Sequence, residues 1–234
     1  MLLTSQARAT VITALNFNEL PSEQGWTLVK SGPHANDAEG DLFSVSGGQL
    51  FQNTVGTGQG FSSSGSARYD FTTPSSFADA DVITFFFTTR VTAHEDTRQD
   101  FSWASHFFSI YHDGQRAFAG IKPGELFANG TFFTPAGYDG GLTNSYQLSL
   151  FTNTNTFEFY LNGVLVRSGA STATTVADRF SIMDGTGTAN ADAVLSQFVA
   201  VSGTVVPEPS SLFGVFLASC ALLRIGLRRR RVAA

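Results

Sequence analysis

Two runs of side-chain oxygens in the sequence have the composition of a cation site. One surrounds a glycine-rich stretch and the other lies nearer the N-terminus; their members are Asp184, Asn190 and Asp192, and Asp37, Glu39 and Asp41. Calcium takes about six to eight oxygen ligands from such residues, so either run is a candidate calcium site. The alternative is that these Asp and Asn side chains stabilise turns.

A second set of side chains combines aromatic rings with amide and carboxylate groups. A ring offers an apolar surface and the polar groups offer hydrogen bonds, which together suit a sugar. The candidate carbohydrate-binding residues are Trp103, Tyr111, Tyr138, Asp139 and Asn144. Three of them lie in segment 124–144, rich in Gly and aromatic residues, which we predict to be a binding loop. The alternative for each aromatic ring is packing in the core.

The spacings that catalysis needs are absent from the sequence. Glycoside hydrolysis uses two carboxylates that flank one bond, and a single strand can supply them in an E-x-D-x-x-E pattern. No such pattern occurs, and Glu158 has no acidic residue two positions further on. The sequence also lacks a nucleophile elbow, a P-loop and the histidine spacings typical of zinc sites. We therefore predict that the protein is not an enzyme.

The segments that must position these side chains have the pattern of β-strands. Only 14% of the 234 residues are charged, while Gly and Phe each number 23. Short aromatic and β-branched runs are separated by Gly, Asn-Gly and Asp-Gly turns, which is typical of an all-β antiparallel sandwich. The predicted strands are residues 14–17, 42–45, 49–52, 67–71, 82–92, 107–112, 117–122, 146–153, 156–161, 164–168, 179–183 and 193–202. Because no linker divides them, we predict one domain over residues 10–205.

The dipeptide Asn162-Gly163 predicts a two-residue hairpin, since both positions of a type I′ turn need a positive φ. The register expected from this turn pairs Leu161 with Val164, Tyr160 with Leu165, Phe159 with Val166, and Glu158 with Arg167. Glu158 is thereby predicted to form a cross-strand charge pair.

The segments around this hairpin resemble the concanavalin A-like, laminin-G-like jelly roll. The motif consists of Tyr-Gln-Leu at 146–148, followed in the hairpin by Tyr160, Leu161, Asn162 and Gly163. In that family a Y-x-L strand leads into a Y-x-N/D-G hairpin. The resemblance extends over most of residues 14–203. It implies a lectin-like sandwich, a fold in which calcium is often used and extracellular polysaccharide is a possible ligand.

The C-terminal end of the chain has three parts in a fixed order. Pro207, Glu208 and Pro209 come first, an apolar run with one arginine spans 212–227, and Arg228, Arg229, Arg230 and Arg231 follow. As a helix the run would be roughly 24 Å long at about 1.5 Å per residue. Since a bilayer core is about 30 Å thick, we predict a short single transmembrane helix. The arginine cluster predicts a cytoplasmic C-terminus.

This three-part order resembles the PEP-CTERM sorting signal of Gram-negative bacteria. The resemblance covers residues 206–231 and implies recognition by an exosortase, with the precursor inserted transiently in the inner membrane. It also implies a final location at the cell surface or in an exopolysaccharide biofilm matrix. Residues 206–234 are therefore predicted to be a sorting segment, and an ordinary tail anchor is the alternative.

The N-terminal residues 1–9 are predicted to be the remnant of a truncated signal peptide. Ala7-Arg8-Ala9 fits the A-x-A cleavage pattern, but only Met1, Leu2 and Leu3 precede it as apolar residues. A signal peptide needs an apolar segment of about 7–15 residues, so we expect a longer one upstream. A disordered N-terminus is the alternative.

Together these patterns predict an exported cell-surface or extracellular-matrix protein that binds polysaccharide. The net charge is −5, and five of the 14 Lys and Arg residues lie within 207–234. The remaining acidic domain has no basic stripe, which argues against nucleic acid as a partner. Two alternatives stay open: a divergent polysaccharide hydrolase or lyase on the same sandwich, and a purely structural matrix component.

Overall fold

The computed structural model describes residues 9–55, 66–96, 106–185 and 189–203. The chain divides into one unit of Met1–Thr204 and another of Val205–Ala234, and the second lies outside the described residues. No helix among the described residues has both the length and the apolar character needed to cross a membrane. The predicted transmembrane helix and the sorting residues from 207 to 231 fall outside this part of the chain and stay predictions.

The described chain is almost entirely β-structure. In chain order its strands are β1 (Thr10–Ala14), β2 (Thr27–Ser31), β3 (Phe43–Ser46), β4 (Gln49–Asn53), β5 (Ser66–Thr72), β6 (Val82–Asp96), β7 (His106–His112), β8 (Gln115–Ile121), β9 (Leu126–Ala128), β10 (Thr131–Phe133), β11 (Asn144–Phe151), β12 (Thr156–Leu161), β13 (Val164–Ala170), β14 (Thr172–Ala173), β15 (Arg179–Asp184) and β16 (Ala189–Ser202). One short helix, α1 (Glu39–Leu42), and 3₁₀ turns at Pro21–Gln24, Gly32–His34 and Ser75–Phe77 connect them.

These strands form two antiparallel sheets that pack face to face. The first sheet has the order β13, β12, β11, β6, β16, β4, β3, and β1 pairs with the remaining edge of β16. The second sheet has the order β10, β9, β8, β7, β15, β5, β2, and β14 pairs with β8. The predicted all-β antiparallel sandwich is therefore confirmed.

The core between the sheets is dominated by phenylalanine. Phe87 of β6 and Phe108 of β7 stack across the two sheets with ring centroids 3.8 Å apart. Phe85 contacts Phe180 and Phe198 edge-on at 4.9 and 5.0 Å. Burying one such side chain stabilises the fold by about 1.5–3 kcal/mol, so these rings hold the two sheets together.

The predicted strands agree with the observed ones except at the first strand, and some observed strands were not predicted. Residues 14–17 were predicted as the first strand, but β1 ends at Ala14. Beyond it Asn16 accepts a hydrogen bond from the backbone N–H of Asn18 at 3.1 Å, and this local turn stops the strand. Prediction missed β9 and β10, which flank Asn129-Gly130. That dipeptide has φ values of 40° and 88° and forms a hairpin like the one at Asn162-Gly163.

The register predicted for the Asn162-Gly163 hairpin is right next to the turn and wrong beyond it. Leu161 pairs with Val164 and Tyr160 with Leu165, as predicted. A bulge then shifts the register, so that Phe159 pairs with Arg167 and Glu158 with Ser168. The predicted charge pair is therefore wrong, because an extra residue in one strand changes every pairing after it.

Candidate functional site

The outer side of the second sheet carries a polar surface at its centre. Alternate residues of a strand point to opposite sides, and Phe108, Ile110 and Phe180 point into the core. Their neighbours therefore point outward. We call these outward residues of β5, β7, β8 and β15 the arginine face: Arg68, Asp70, Ser109, Tyr111, Arg116, Arg179 and Ser181.

Strand pairing aligns the arginine face in cross-strand rows. Arg116, Tyr111 and Arg179 are direct partners on β8, β7 and β15. Ser109, Ser181 and Asp70 form the next row on β7, β15 and β5. Directly paired residues have Cβ atoms about 4.5–5.5 Å apart, so six side chains share one small area.

One carboxylate lies among these groups. Asp70 accepts a hydrogen bond of 2.6 Å from the Ser181 hydroxyl and one of 2.9 Å from Arg68 Nε. Arg179 Nη1 lies 3.5 Å from the second oxygen of Asp70. Asp70 therefore neutralises part of the positive charge and fixes the positions of two of the arginines.

Arg116 has a different environment. Its Nε donates a hydrogen bond of 3.1 Å to Ser109 Oγ, and its guanidinium lies over the rings of Phe118 and Tyr111 at 4.1 and 5.0 Å. No carboxylate of the described residues forms an ion pair with it. Burial lowers the pKa of Arg116, and the charges of Arg179 and Arg68 lower it further, while Tyr111 opposes the shift.

The guanidinium of Arg179 adds to this positive surface. It lies over the Tyr111 ring at 4.8 Å, on the strand next to that ring. Its Nε is buried and makes no hydrogen bond within the described part of the chain. The face thus carries three guanidinium groups and one carboxylate, which pairs with Arg68 and Arg179, on a protein that is acidic as a whole, and such a surface suits an anionic ligand.

Aromatic rings border the arginine face. Phe107, Phe118 and Phe127 form a separate cluster on the outer side of the second sheet. Phe132 lies 4.5 Å from Phe127, between ring centroids, and is 37% exposed. An apolar ring surface next to hydrogen-bonding groups is the combination that a sugar requires.

The predicted carbohydrate-binding residues divide into three groups. Tyr111 lies on the arginine face. Tyr138 and Asp139 lie in the loop before Asn144, the first residue of β11, where they hold the backbone: Tyr138 donates to Lys122 O at 2.8 Å, and Asp139 Oδ1 accepts from Gly141 N at 2.8 Å. Trp103 lies outside the described residues.

The segment 124–144 therefore differs from the predicted binding loop. It contains β9 and β10, and Asn144 donates to Asp139 O and Leu142 O at 2.9 and 3.0 Å. Burial raises the pKa of the Tyr138 phenol, and the neighbouring Tyr146 raises it further. These polar groups form hydrogen bonds within the segment that carries the chain from β10 in the second sheet to β11 in the first.

Members of the two predicted calcium runs meet at His34, which is fully buried. Its Nδ1 lies 3.0 Å from Asp37 Oδ2, and its Nε2 lies 3.3 Å from Asn190 Oδ1 and 3.9 Å from Asp184 Oδ2. Nothing in the sequence indicates that His34 and Asp37 lie next to Asp184 and Asn190. The His34 imidazole thus lies between the side-chain oxygens of the two runs.

The other predicted calcium ligands point elsewhere. Asp192 Oδ1 accepts a hydrogen bond from Val55 N at 3.1 Å, and Glu39 Oε1 accepts one from the Tyr69 hydroxyl at 2.7 Å. Asp41 Oδ2 accepts from Ala38 N at 3.2 Å, at the start of α1. Among the described residues, no three His, Cys, Asp or Glu side chains are grouped to hold a metal ion. The calcium site therefore stays a prediction.

Sequence reasoning missed most of the arginine face. Arg68, Arg116 and Arg179 each stand at an outward position of a strand, and nothing local distinguishes them from surface arginines. The available signal was that Arg68 and Arg179 lie in predicted strands, and Arg116 directly before one, in a chain with few charged residues. Only the strand order brings them together.

No protein-family model and no curated protein sequence matches the chain. Solved structures do match it. A structure of botulinum neurotoxin type C, described for its interaction with two ganglioside molecules, is 12% identical with a TM-score of 0.51, over 90% of this chain and 51% of that one. A sialidase is 13% identical with a TM-score of 0.52, over 83% of this chain and 19% of that one. An endo-1,3-beta-glucanase from Streptomyces sioyaensis is 11% identical with a TM-score of 0.47, over 84% and 95%.

These similarities show the fold. The chain forms a jelly-roll β-sandwich. It spans about half the length of the neurotoxin structure and about a fifth of the sialidase.

The prediction that the protein is not an enzyme is contradicted by these comparisons. The similar structures include the sialidase. That prediction relied on the absence of a local carboxylate motif. On a sandwich, groups from several strands meet on one face, so a missing local motif is no ground for excluding catalysis.

Proposed function

We propose that the sandwich domain recognises an anionic carbohydrate on the arginine face. The observation that carries the proposal is Arg116, a half-buried guanidinium with no carboxylate partner among the described residues, next to Arg179 on the same face. Two guanidinium groups can bind one carboxylate or sulfate with paired hydrogen bonds. Phe132, which is 37% exposed, supplies neighbouring apolar surface for the sugar ring.

The names of the similar proteins support the carbohydrate part of this proposal. One is described for its interaction with gangliosides, and another is a sialidase. The anionic part rests on the charges of the arginine face, where the described residues provide three arginines and one aspartate. A neutral sugar would leave Arg116 without a counterion among the described residues.

The proposal is tested by binding of the full-length chain to polysaccharides that differ in charge. Polyuronates, sulfated glycans and sialylated glycans are compared with neutral glucans by calorimetry. A hydrogen bond to a charged group contributes about 1.5–3 kcal/mol, so Arg116→Gln and Arg179→Gln are each expected to weaken binding about tenfold or more. Affinity is also expected to fall as salt is added.

Arg90→Gln is the matched control, because Arg90 is exposed on the first sheet and is not part of the arginine face. This variant should bind like the original chain. Equal affinity for charged and neutral glycans, or unchanged affinity in both arginine-face variants, would overturn the proposal.

A second candidate function is cleavage of a bound polyuronate by β-elimination. The observation that favours it is Tyr111, whose ring lies 5.0 Å from the Arg116 guanidinium and 4.8 Å from that of Arg179. Cations that neutralise a uronate carboxylate make the adjacent C–H more acidic. A phenolate can take this proton, and the phenol so formed can give it to the leaving oxygen as the C–O bond breaks and a C=C bond forms.

Cleavage is measured with the same chain and polyuronates as the binding test, through the ultraviolet absorbance of the unsaturated uronate product. Tyr111→Phe is expected to abolish product formation while leaving binding nearly unchanged, because the ring stays and the hydroxyl is lost. Product formation at the original rate by this variant would exclude Tyr111 from the reaction. Absence of product from the original chain would leave recognition as the function of the arginine face.

We also propose that the chain is exported and processed through residues 206–231. The proposal rests on the order of Pro207-Glu208-Pro209, the apolar run and the arginine cluster in the sequence. Its partners would be an exosortase and, transiently, the inner membrane. The calcium requirement that the lectin-like resemblance implies receives no support from the described residues and is not part of the proposal.

Processing is tested by expressing the chain in a Gram-negative host with and without an exosortase. Cleavage near Pro207 is expected only with the enzyme, and it should be detected as a loss of the C-terminal segment by mass spectrometry. Replacing both Pro207 and Pro209 with Ala should prevent it. Identical masses in the two hosts would indicate an ordinary tail anchor.

A further inference from the structure

The outer side of the first sheet, opposite the arginine face, carries a second arrangement of polar and aromatic groups. Phe85, Leu148 and Phe159 point into the core, so their neighbours point outward. Strand pairing aligns these neighbours in two rows. We call them the amide rows; they consist of Tyr160, Gln147, Phe86 and Val199, and of Glu158, Ser149, Thr84 and Val201.

A chain of hydrogen bonds fixes the orientation of the Gln147 amide. The Thr84 hydroxyl donates its proton to Gly203 O at 3.2 Å, so its oxygen accepts from Ser149, whose Oγ lies 3.0 Å away. Ser149 has then used its own proton and accepts from Gln147 Nε2 at 3.2 Å. A hydroxyl has one proton to donate, so the direction is the same along the chain.

The amide oxygen of Gln147 is consequently left facing away from Ser149. Gln147 is only 6% exposed, and its Oε1 is buried without a hydrogen-bond partner within the described part of the chain. Buried acceptors in folded proteins are almost always paired with a donor. Because the hydrogen-bond chain prevents the amide from turning over, the donor must come from a group outside the described fold.

The surroundings of Gln147 select among possible donors. Tyr160 and Phe86 are its partners on the strands to either side, and both are partly exposed. The Tyr160 hydroxyl donates to Glu158 Oε2 at 2.7 Å. Glu158 is the charged residue in the amide rows, so an anionic ligand would be repelled. Two rings and a buried acceptor suit a ligand with hydroxyl donors and apolar C–H faces.

We propose that the amide rows form a second carbohydrate site, which takes an uncharged sugar. One sugar hydroxyl donates to Gln147 Oε1, and the sugar ring lies against Tyr160 or Phe86. The site is on the other side of the sandwich from the arginine face and does not depend on it. With both sites present, one domain could hold a neutral segment and a charged segment of polysaccharide at the same time.

The test uses nuclear magnetic resonance of the full-length chain labelled with ¹⁵N in glutamine. The side-chain amide signal of Gln147 is assigned by its loss in Gln147→Met. Neutral gluco-, manno-, galacto- and N-acetylglucosamine oligosaccharides are then added one at a time. At least one is expected to shift this signal, and the shift should persist at high salt because no charge is involved.

Two variants measure the contribution of the site to affinity. Gln147→Met and Tyr160→Ala are each expected to weaken binding of that sugar about tenfold or more, whereas Gln49→Met on β4 should not. Thermal unfolding of each variant shows whether it is folded, and Tyr160→Ala provides an independent measurement if Gln147→Met is not. Arg116→Gln should have no effect on the neutral sugar, which separates this site from the arginine face.

The proposal is overturned if none of these sugars shifts the Gln147 signal, since the amide oxygen would then be satisfied by water alone. It is also overturned if a neutral sugar binds equally well to the original chain, Gln147→Met and Tyr160→Ala. Loss of neutral-sugar binding in Arg116→Gln would place the ligand on the arginine face instead. Failure of the charged-glycan experiment would leave this result unaffected.

Discussion

The carboxylate of Asp70 accepts a 2.6 Å hydrogen bond from the Ser181 hydroxyl on the neighbouring strand. The same carboxylate contacts Arg68 and Arg179, so one partly buried acid organises the positive side chains of the second sheet. The arrangement links stability to recognition, because a change at Asp70 alters both.

Asp70→Asn is expected to destabilise the domain by about 1–2 kcal/mol, since it weakens hydrogen bonds to charged groups. Urea unfolding followed by circular dichroism measures the change. Asp79→Asn, at an exposed position, is the control and should be neutral. Equal stability of the two variants would show that Asp70 contributes little to the fold.

Acid is expected to destabilise the domain through His106. This histidine is fully buried between the sheets, with Nε2 2.7 Å from Thr89 Oγ1 and Nδ1 2.9 Å from Gln52 Oε1. Burial lowers its pKa from 6.5 to about 3. Below pH 6.5 the unfolded chain binds a proton that the folded chain does not, so stability is present above this pH and falls between pH 6.5 and 3.

The contribution of His106 to the slope of the unfolding free energy against pH is at most about 1.4 kcal/mol per pH unit. The free energy of unfolding is measured between pH 6.5 and 3 for the original chain and for His106→Gln. The difference between the two curves isolates the contribution of His106 from that of the carboxylates. The variant should lose less stability on acidification. Parallel curves would mean that His106 titrates alike in the folded and unfolded chain.

Gly140→Ala is expected to destabilise the domain by about 2–3 kcal/mol. A Cβ atom at this position would lie 2.2 Å from Lys122 O and 2.4 Å from the Tyr138 hydroxyl, so the hydrogen bond between those two groups would break. At Gly124 the same addition meets no atom within 4 Å. Thermal unfolding of Gly140→Ala and Gly124→Ala compares the two; a similar midpoint for both would show that the loop yields to the added methyl group.

Asn162→Ala is expected to cost about 1–2 kcal/mol at the hairpin. Asn162 has a φ of 49°, its Oδ1 accepts from Ser145 N at 2.9 Å, and its Nδ2 donates to Asn144 Oδ1 at 2.9 Å. Asn162→Gly keeps the backbone conformation and loses only the side-chain hydrogen bonds, so it should be less destabilised. If chemical denaturation ranks the two variants in the opposite order, backbone strain is not the main cost.

Local features of the fold were predictable from the sequence. The segment 156–161 was predicted as a strand and is β12, and Asn162-Gly163 adopts the positive φ values that its residue types favour. Alternation of apolar and polar residues and turn preferences act over two to four residues, so they are legible in one chain segment. The bulge that shifts Glu158 away from Arg167 was not legible, because it depends on how the edge strand β13 packs.

The candidate site was decided by the tertiary structure. Tyr111 was recognised as a residue type suited to sugars, but Arg68, Arg116 and Arg179 were not, and 111 positions separate Arg68 from Arg179. The sequence by itself determined that the chain forms an all-β sandwich with an acidic composition, whereas the sorting signal at residues 206–231 stays a prediction. The order of strands β8, β7, β15 and β5 placed three guanidinium groups and one carboxylate on the same face, because long-range strand pairing, unlike turn formation, is set by the packing of the whole core.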